Sequence, residues 1–202
     1  MKKLGVIINP VAGIGGRVGL KGSDGNEIQQ QARSLGAFSE APKRAVDTLA
    51  LLRELSDKIE VITYPLEMGE DETRTSGLNP TVIGSIVSGK TTSEDTYRAA
   101  VEMEKLGVDL ILFAGGDGTA RDIFSAIERR VAVLGIPAGV KIHSAVYAVT
   151  PRTAATVARM FLEGQPLNLC DGEVMDIDEH AFRQGVITAK LYGYLRVPKE
   201  RR

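Results

Sequence analysis

The residues of this chain that are best suited to chemistry form one short run, Gly115-Gly-Asp-Gly-Thr119. Glycines let backbone N–H groups approach a phosphate closely, because no Cβ stands in the way. The run contains one carboxylate, Asp117, which could accept the proton of an attacking hydroxyl group or hold Mg²⁺ through water. The run therefore predicts a phosphoryl-transfer site. Its phosphate-binding residues would be Gly115, Gly116, Gly118 and Thr119.

The same run could instead be an ordinary strand-to-helix turn, in which Asp117 or Thr119 caps the helix. The flanking pattern favours the phosphate site. Residues 109–114 are almost continuously apolar, which is typical of a central parallel strand, and residues 119–130 are predicted to form a helix. Open α/β sheets bind ligands at the carboxyl ends of their strands, and a helix N-terminus favours an anion.

A second glycine-rich segment, residues 11–26, follows a predicted strand at residues 4–8 and the pair Asn9-Pro10. Long loops of this kind are often functional. Two of its residues are cations, which could neutralise nucleotide phosphates or be ordinary surface charges, and the surrounding glycines favour phosphate. The candidate binding residues here are Asn9, Gly13, Gly15, Gly16, Arg17 and Lys21.

Residues 84–91 formally match a P-loop, G-x-x-x-x-G-K-T. A genuine P-loop would place backbone amides and Lys90 on a nucleotide. Residues 81–87, however, are predicted to form a strand, which would leave no open loop. The P-loop is therefore the less favoured interpretation of this motif.

Strands and helices alternate along residues 1–165, which predicts an α/β domain with a mostly parallel sheet flanked by helices. The remaining predicted strands are 59–63 and 131–136, and the polar residues 69–80 are expected to form a loop. Predicted helices cover residues 41–55, 92–106 and 150–162; a capping box of Thr92 and Asp95 opens the second, and Thr150-Pro151 starts the third.

The pattern changes after Pro166, where two β-segments, 167–177 and 186–197, follow without a long helix between them. Residues 166–202 are therefore expected to begin a β-rich second domain. About 35 residues are too few to close an independent core, so this domain is expected to be incomplete. Uncovered strand edges would also favour association of the chain into a homo-oligomer.

The composition excludes several classes of protein. A formal net charge of -1 argues against nucleic-acid binding, and a single cysteine excludes an internal disulfide. The apolar run 4–8 is too short for a signal-peptide core or a membrane span. The chain is therefore expected to be cytoplasmic, with no nucleic-acid or membrane partner. Two histidines and one cysteine also predict no metal site built from these residues.

Three segments carry a resemblance to a known family: residues 8–25, Gly115-Gly-Asp-Gly-Thr119, and Gly135-Ile-Pro-Ala-Gly-Val-Lys-Ile-His-Ser144. Together they resemble the predicted ATP-NAD kinase family of the NAD kinase and diacylglycerol kinase-like superfamily, in the subgroup that includes relatives of AcoX. The resemblance covers essentially the whole chain. It implies transfer of a phosphoryl group from ATP, or polyphosphate, with Mg²⁺, to the adenosine ribose 2′-hydroxyl of NAD.

In that family the aspartate of the GGDGT motif is the catalytic base, a role that falls here on Asp117. Related proteins also have a Gly-x-Thr-Thr-x-Glu-Asp pattern, which implies that Thr91 and Thr92 touch ligand. The family's β-rich C-terminal domain builds much of the NAD pocket, and only its beginning is expected in this chain.

One departure bears on the substrate. Lipid kinases of the superfamily follow GGDGT with x-Asn-Glu, whereas this chain has Ala120-Arg121-Asp122, which weakens a lipid-kinase interpretation. Asp122 could be a second acidic group of the site, or a carboxylate that complements the helix dipole. Two alternatives to an NAD kinase stay open: a kinase of another small hydroxyl compound, and a non-catalytic nucleotide-binding module.

Overall fold

A computed structural model of the chain describes residues 1–14, 34, 36, 38–138, 142–177, 185 and 188–200. The strands are β1 (Lys2–Ile8), β2 (Ile59–Thr63), β3 (Thr81–Val82), β4 (Leu110–Gly115), β5 (Ala132–Pro137), β6 (Leu167–Ile177) and β7 (Ala189–Glu200). The helices are α1 (Ala41–Ala50), α2 (Glu70–Thr75), α3 (Ser93–Lys105), α4 (Asp117–Ile127) and α5 (Pro151–Leu162), with 3-10 turns at Arg53–Leu55 and Leu66–Met68.

These strands form one sheet in the order β3-β2-β1-β4-β5-β7-β6. The pairs from β3 to β5 are all parallel, and β6 and β7 form an antiparallel hairpin. The predicted α/β fold with a mostly parallel sheet and flanking helices is therefore confirmed.

The β6–β7 hairpin joins the sheet through a parallel pairing of Ala132 on β5 with Arg196 on β7. It follows helix α5 in the chain and extends the same sheet past β5. The division of the chain at residue 165 into two domains stays a prediction.

The core lies between the parallel strands and the helices. Every residue of β4 is buried, as are residues 4–8 of β1, so these two strands form the centre of the sheet. Helix α1 turns Ala45, Thr48 and Leu49 inward, at the three- and four-residue spacing of one helix face. Among the described residues, no helix is both long enough and apolar enough to cross a bilayer.

Both predicted helix starts are confirmed: Thr150 Oγ1 accepts the N–H of Thr153, and Thr92 forms its capping box with Asp95. The predicted loop at 69–80 is wrong, because residues Glu70–Thr75 form α2. This helix lacks an apolar stripe, but its acidic first turn suits the helix dipole and Glu70 pairs with Arg74 at 3.0 Å.

The predicted strand at 81–87 is also too long, because β3 ends at Val82. Gly84 follows with a φ of +68°, and a Cβ there would lie 2.4 Å from the ring of the buried Tyr64. The chain therefore turns away from the sheet at this glycine, and helix formation resumes only at Ser93.

Candidate active site

Asp117 is the first residue of α4 and lies at the carboxyl end of β4. Its neighbour Gly116 is the extended N-cap residue between strand and helix. Because the first N–H groups of a helix have no partner inside the helix, this position favours a negatively charged group. The carboxyl end of a parallel sheet is also where α/β proteins bind their ligands.

Two backbone N–H groups hold the Asp117 carboxylate. The N–H of His143 donates to Oδ2 over 2.8 Å, and that of Ser144 donates to Oδ1 over 3.0 Å. The Asp117 side chain is only 10% exposed, while the His143 side chain is 39% exposed with its Nδ1 3.8 Å from Oδ2. A carboxylate has about four lone-pair positions, so Asp117 can still accept a proton from a ligand.

The glycines around Asp117 serve different purposes. A Cβ at Gly115 would lie 2.3 Å from Thr119 Oγ1, so Gly115 is needed for packing. A Cβ at Gly116 would meet no atom within 4 Å, and one at Gly118 would meet only Asp176, at 3.9 Å. Open space therefore adjoins the start of α4 on the side of Gly116 and Gly118, where a ligand could approach.

The structure brings Asn9 next to the glycine run. Asn9 Nδ2 donates to Thr119 Oγ1 over 3.0 Å, and Asn9 Oδ1 accepts the N–H of Val11. Thr119 is only 3% exposed, so its hydroxyl serves this internal bond. Gly13 lies nearby in the chain with a φ of +74°. Gly15, Gly16, Arg17 and Lys21 lie outside the described residues.

Thr92 is used to start α3, since both its N–H and its hydroxyl donate to Asp95, at 2.8 and 3.1 Å. Thr91 is half-buried in the loop just before it. A ligand role for these two threonines stays a prediction.

The loop that resembles a P-loop is open after β3, so the argument against it from a continuous strand was wrong. Two of its donors are nevertheless occupied. Ser88 Oγ and the Gly89 N–H both donate to the carboxylate of Glu67, at 3.1 and 2.5 Å. A carboxylate at these donors would repel a phosphate, which disfavours the P-loop for a different reason.

Asp122 does not share a helix face with Asp117. Five helical positions correspond to a rotation of roughly 500°, which places the two side chains about 140° apart around the axis. Arg121, which follows Asp117 by four positions, lies close to the helix face that carries Asp117. A second carboxylate near the start of α4 comes instead from Asp176 on β6, which pairs with Arg121 at 3.0 Å.

Sequence reasoning missed Asp176 and also Tyr147. The Tyr147 hydroxyl donates to the Gly116 carbonyl over 2.5 Å and so fixes the residue before Asp117. Burial, together with the carboxylates of Asp117 and Asp176, raises the pKa of Tyr147 well above its ordinary value, so the hydroxyl keeps its proton. Neither residue belongs to a local motif, because both reach the site through tertiary packing.

Metal-ligating side chains are sparse in the described part of the chain, where no group of three or more histidines, cysteines, aspartates or glutamates could hold an ion.

A family model, that of the ATP-NAD kinase N-terminal domain, matches residues 5–165. The chain belongs to the ATP-NAD kinase family. The matched residues include β2 to β5, most of β1, and the site residues Asn9, Asp117 and Ser144, whereas Asp176 lies beyond the match. A search of curated proteins finds no match.

Solved structures similar to this ATP-NAD kinase family member include two from Bacillus anthracis str. Sterne. One is assigned as a diacylglycerol kinase, with 16% identity and a TM-score of 0.43. The alignment covers 87% of this chain and 46% of that protein's chain. The second, a diacylglycerol kinase, has 15% identity, the same TM-score and the same coverage. This chain spans less than half the length of these structures.

Proposed function

We propose that this chain carries the phosphoryl-transfer part of an NAD kinase, with Asp117 as the catalytic base. One observation carries the proposal. The Asp117 carboxylate is held by two N–H groups at a helix N-terminus, beside open space at Gly116 and Gly118. Membership in the ATP-NAD kinase family gives the class of reaction.

The proposed chemistry is direct transfer. Asp117 accepts the proton of the acceptor hydroxyl, and the hydroxyl oxygen forms a bond to the γ-phosphorus of ATP. The bond from that phosphorus to the bridging oxygen breaks, and ADP leaves with its electron pair. Such reactions depend mainly on positioning and electrostatics, which fixed N–H donors and a helix N-terminus supply.

The donor set near Asp117 fits Mg²⁺ shared with phosphate, because Mg²⁺ in kinases is typically held by one or two carboxylates plus substrate phosphates. Asp176 is the carboxylate that could share it, and Asp117 could contact it only through water, since its carboxylate is proposed to receive the proton. When bound, the ion would neutralise charge on the phosphates. The protein residues would still have to orient the acceptor and receive its proton.

We also propose a cytoplasmic location and self-association. The β6–β7 hairpin supports self-association, because Leu169, Leu191 and Tyr194 are each 40 to 43% exposed on it. Mass in solution by light scattering tests this. A strictly monomeric mass at micromolar concentration would contradict it.

An acceptor panel tests the proposed substrate. The chain is incubated with Mg²⁺ and ATP, or polyphosphate, and with NAD, a diacylglycerol in detergent, or small alcohols, and the phosphorylated products are identified by mass spectrometry. NADP is the expected product. Transfer to another hydroxyl compound would move the assignment to a different kinase, and nucleotide binding without transfer to any acceptor would indicate a non-catalytic module.

A further inference from the structure

Ser144 forms hydrogen bonds to two separate parts of the structure. Its N–H donates to Asp117 Oδ1 over 3.0 Å, while its hydroxyl donates to the Met175 carbonyl over 2.8 Å and accepts the Met175 N–H over 2.9 Å. The residue is 7% exposed, so these bonds are shielded from water. Ser144 therefore links the proposed base directly to strand β6.

The contact between Ser144 and Met175 lies at an irregularity of the β6–β7 hairpin. The register of β6 with β7 shifts between Val174 and Met175, so that Val174 faces Gly193 and Met175 faces Leu191. Tyr192 is the extra residue of this β-bulge. Bulges often lie next to active sites, where they redirect side chains. The hydroxyl of Ser144 binds both backbone groups of Met175 at this point.

Side chains at and beside the bulge reach α4. Asp176, which follows Met175, pairs with Arg121 at 3.0 Å, and the Tyr192 ring lies 5.4 Å from the Arg121 guanidinium. Arg121 lies four residues after Asp117, on the same helix face. The hairpin is thus joined to the helix that carries the base at a second point.

From these contacts we propose that Ser144 is a positioning residue, which fixes the Asp117 carboxylate relative to the β6–β7 bulge. The proposal rests on the proposed function only for its catalytic consequence. Removing the hydroxyl leaves both Met175 backbone groups without this partner, and the segment that supplies the His143 and Ser144 N–H groups loses its anchor. A base displaced by about 1 Å lowers turnover by up to about 100-fold.

The test compares Ser144→Ala with Ser144→Thr, which keeps the hydroxyl, and with Ser76→Ala as a matched control. Ser76 is also buried and also donates to a backbone carbonyl, that of Thr73, but it lies at the end of α2. Amide hydrogen exchange at positions 143 and 144 is followed by NMR. The kcat and KM for phosphoryl transfer are measured on the same samples.

Ser144→Ala is expected to speed exchange at positions 143 and 144 by about tenfold or more and to lower kcat while KM for ATP changes less than about twofold. Ser144→Thr is expected to restore both, and Ser76→Ala to change neither. Unchanged exchange in Ser144→Ala, or an equal change in Ser76→Ala, would overturn the proposal, and so would faster exchange with unchanged kcat. Absence of phosphoryl transfer in the wild-type chain would instead count against the proposed function, and exchange would still decide whether Ser144 anchors the segment.

Discussion

The side-chain amide of Asn9 donates a hydrogen bond of 3.0 Å to the hydroxyl of Thr119, across 110 positions of sequence. Asn9 directly follows β1 and Thr119 lies in the first turn of α4, so this bond joins the residues that precede the glycine-rich segment 11–26 to the run Gly115–Thr119. Thr119 also packs against Gly115, where a Cβ would collide with its side chain. The Asn9–Thr119 bond therefore adds to the pairing of β1 with β4 in holding the end of β1 against the start of α4.

Thr119→Val should destabilise the chain by roughly 1–2 kcal/mol, because it leaves the Asn9 amide without this acceptor. Urea unfolding of Thr119→Val, Asn9→Ala and the double variant should show a coupling of about 1 kcal/mol. Thr156→Val is the control, since Thr156 is exposed and its hydroxyl donates within α5 to the carbonyl of Arg152. Strictly additive changes in unfolding free energy for Thr119→Val and Asn9→Ala would contradict a stabilising role of this contact.

Stability should depend on the ionisation of Glu72 in α2. This residue is 6% exposed, and burial raises its pKa from 4.5 to about 7. Between these two pKa values the folded state binds more protons than the unfolded state, so stability falls as pH rises from about 4.5 to 7.

Glu72→Gln removes this titration. The change in unfolding free energy caused by Glu72→Gln should be more stabilising at pH 8 than at pH 4.5, by at most roughly 3 kcal/mol. Unfolding free energies of the wild type, Glu72→Gln and the exposed-residue control Glu173→Gln should be compared at both pH values. A Glu72→Gln effect that is the same at pH 4.5 and pH 8 would rule out this titration.

Lys90→Ala should change the Kd for ATP by less than about twofold, because Glu67 already occupies the Ser88 and Gly89 donors of that loop. Isothermal titration of ATP with Mg²⁺ measures this directly. A loss of affinity of tenfold or more would restore the P-loop interpretation.

Asp176→Asn should lower kcat more than Asp122→Asn does. Asp176 pairs with Arg121 near Gly118, whereas Asp122 lies on a different face of α4 from Asp117. Steady-state kinetics of the two variants at saturating ATP make the comparison. A larger effect of Asp122→Asn would support the sequence-based assignment of Asp122 as the second acidic group.

The parts of the fold that could be predicted from sequence are those with a local pattern. The apolar runs of β1 and β4 predicted a buried strand and a central strand, and Asp117 could be placed next to a helix start because a glycine run followed the second of them. Helix α2 was missed because Glu70–Thr75 has no apolar periodicity, although its acidic first turn and Glu70–Arg74 pair were visible.

The surroundings of Asp117 could not be predicted, because they depend on contacts distant in sequence. Tyr147 bonds to Gly116 across 31 positions, and Ser144 bonds to Met175 across another 31. No spacing rule connects such residues before the fold is known. Glu67 could not be predicted either. Its carboxylate disfavours the P-loop interpretation, although it lies 22 positions before Gly89 in the sequence.

The central claim is that Asp117 accepts the hydroxyl proton during phosphoryl transfer. The most direct measurement is NADP formation from NAD, ATP and Mg²⁺ by this chain and by any longer version of it, each as wild type and as Asp117→Asn, with thermal unfolding to verify that all are folded. The wild type should form NADP, and Asp117→Asn should lose turnover by about 100-fold or more while staying folded. Equal turnover in the two proteins would contradict the assignment of Asp117 as the base.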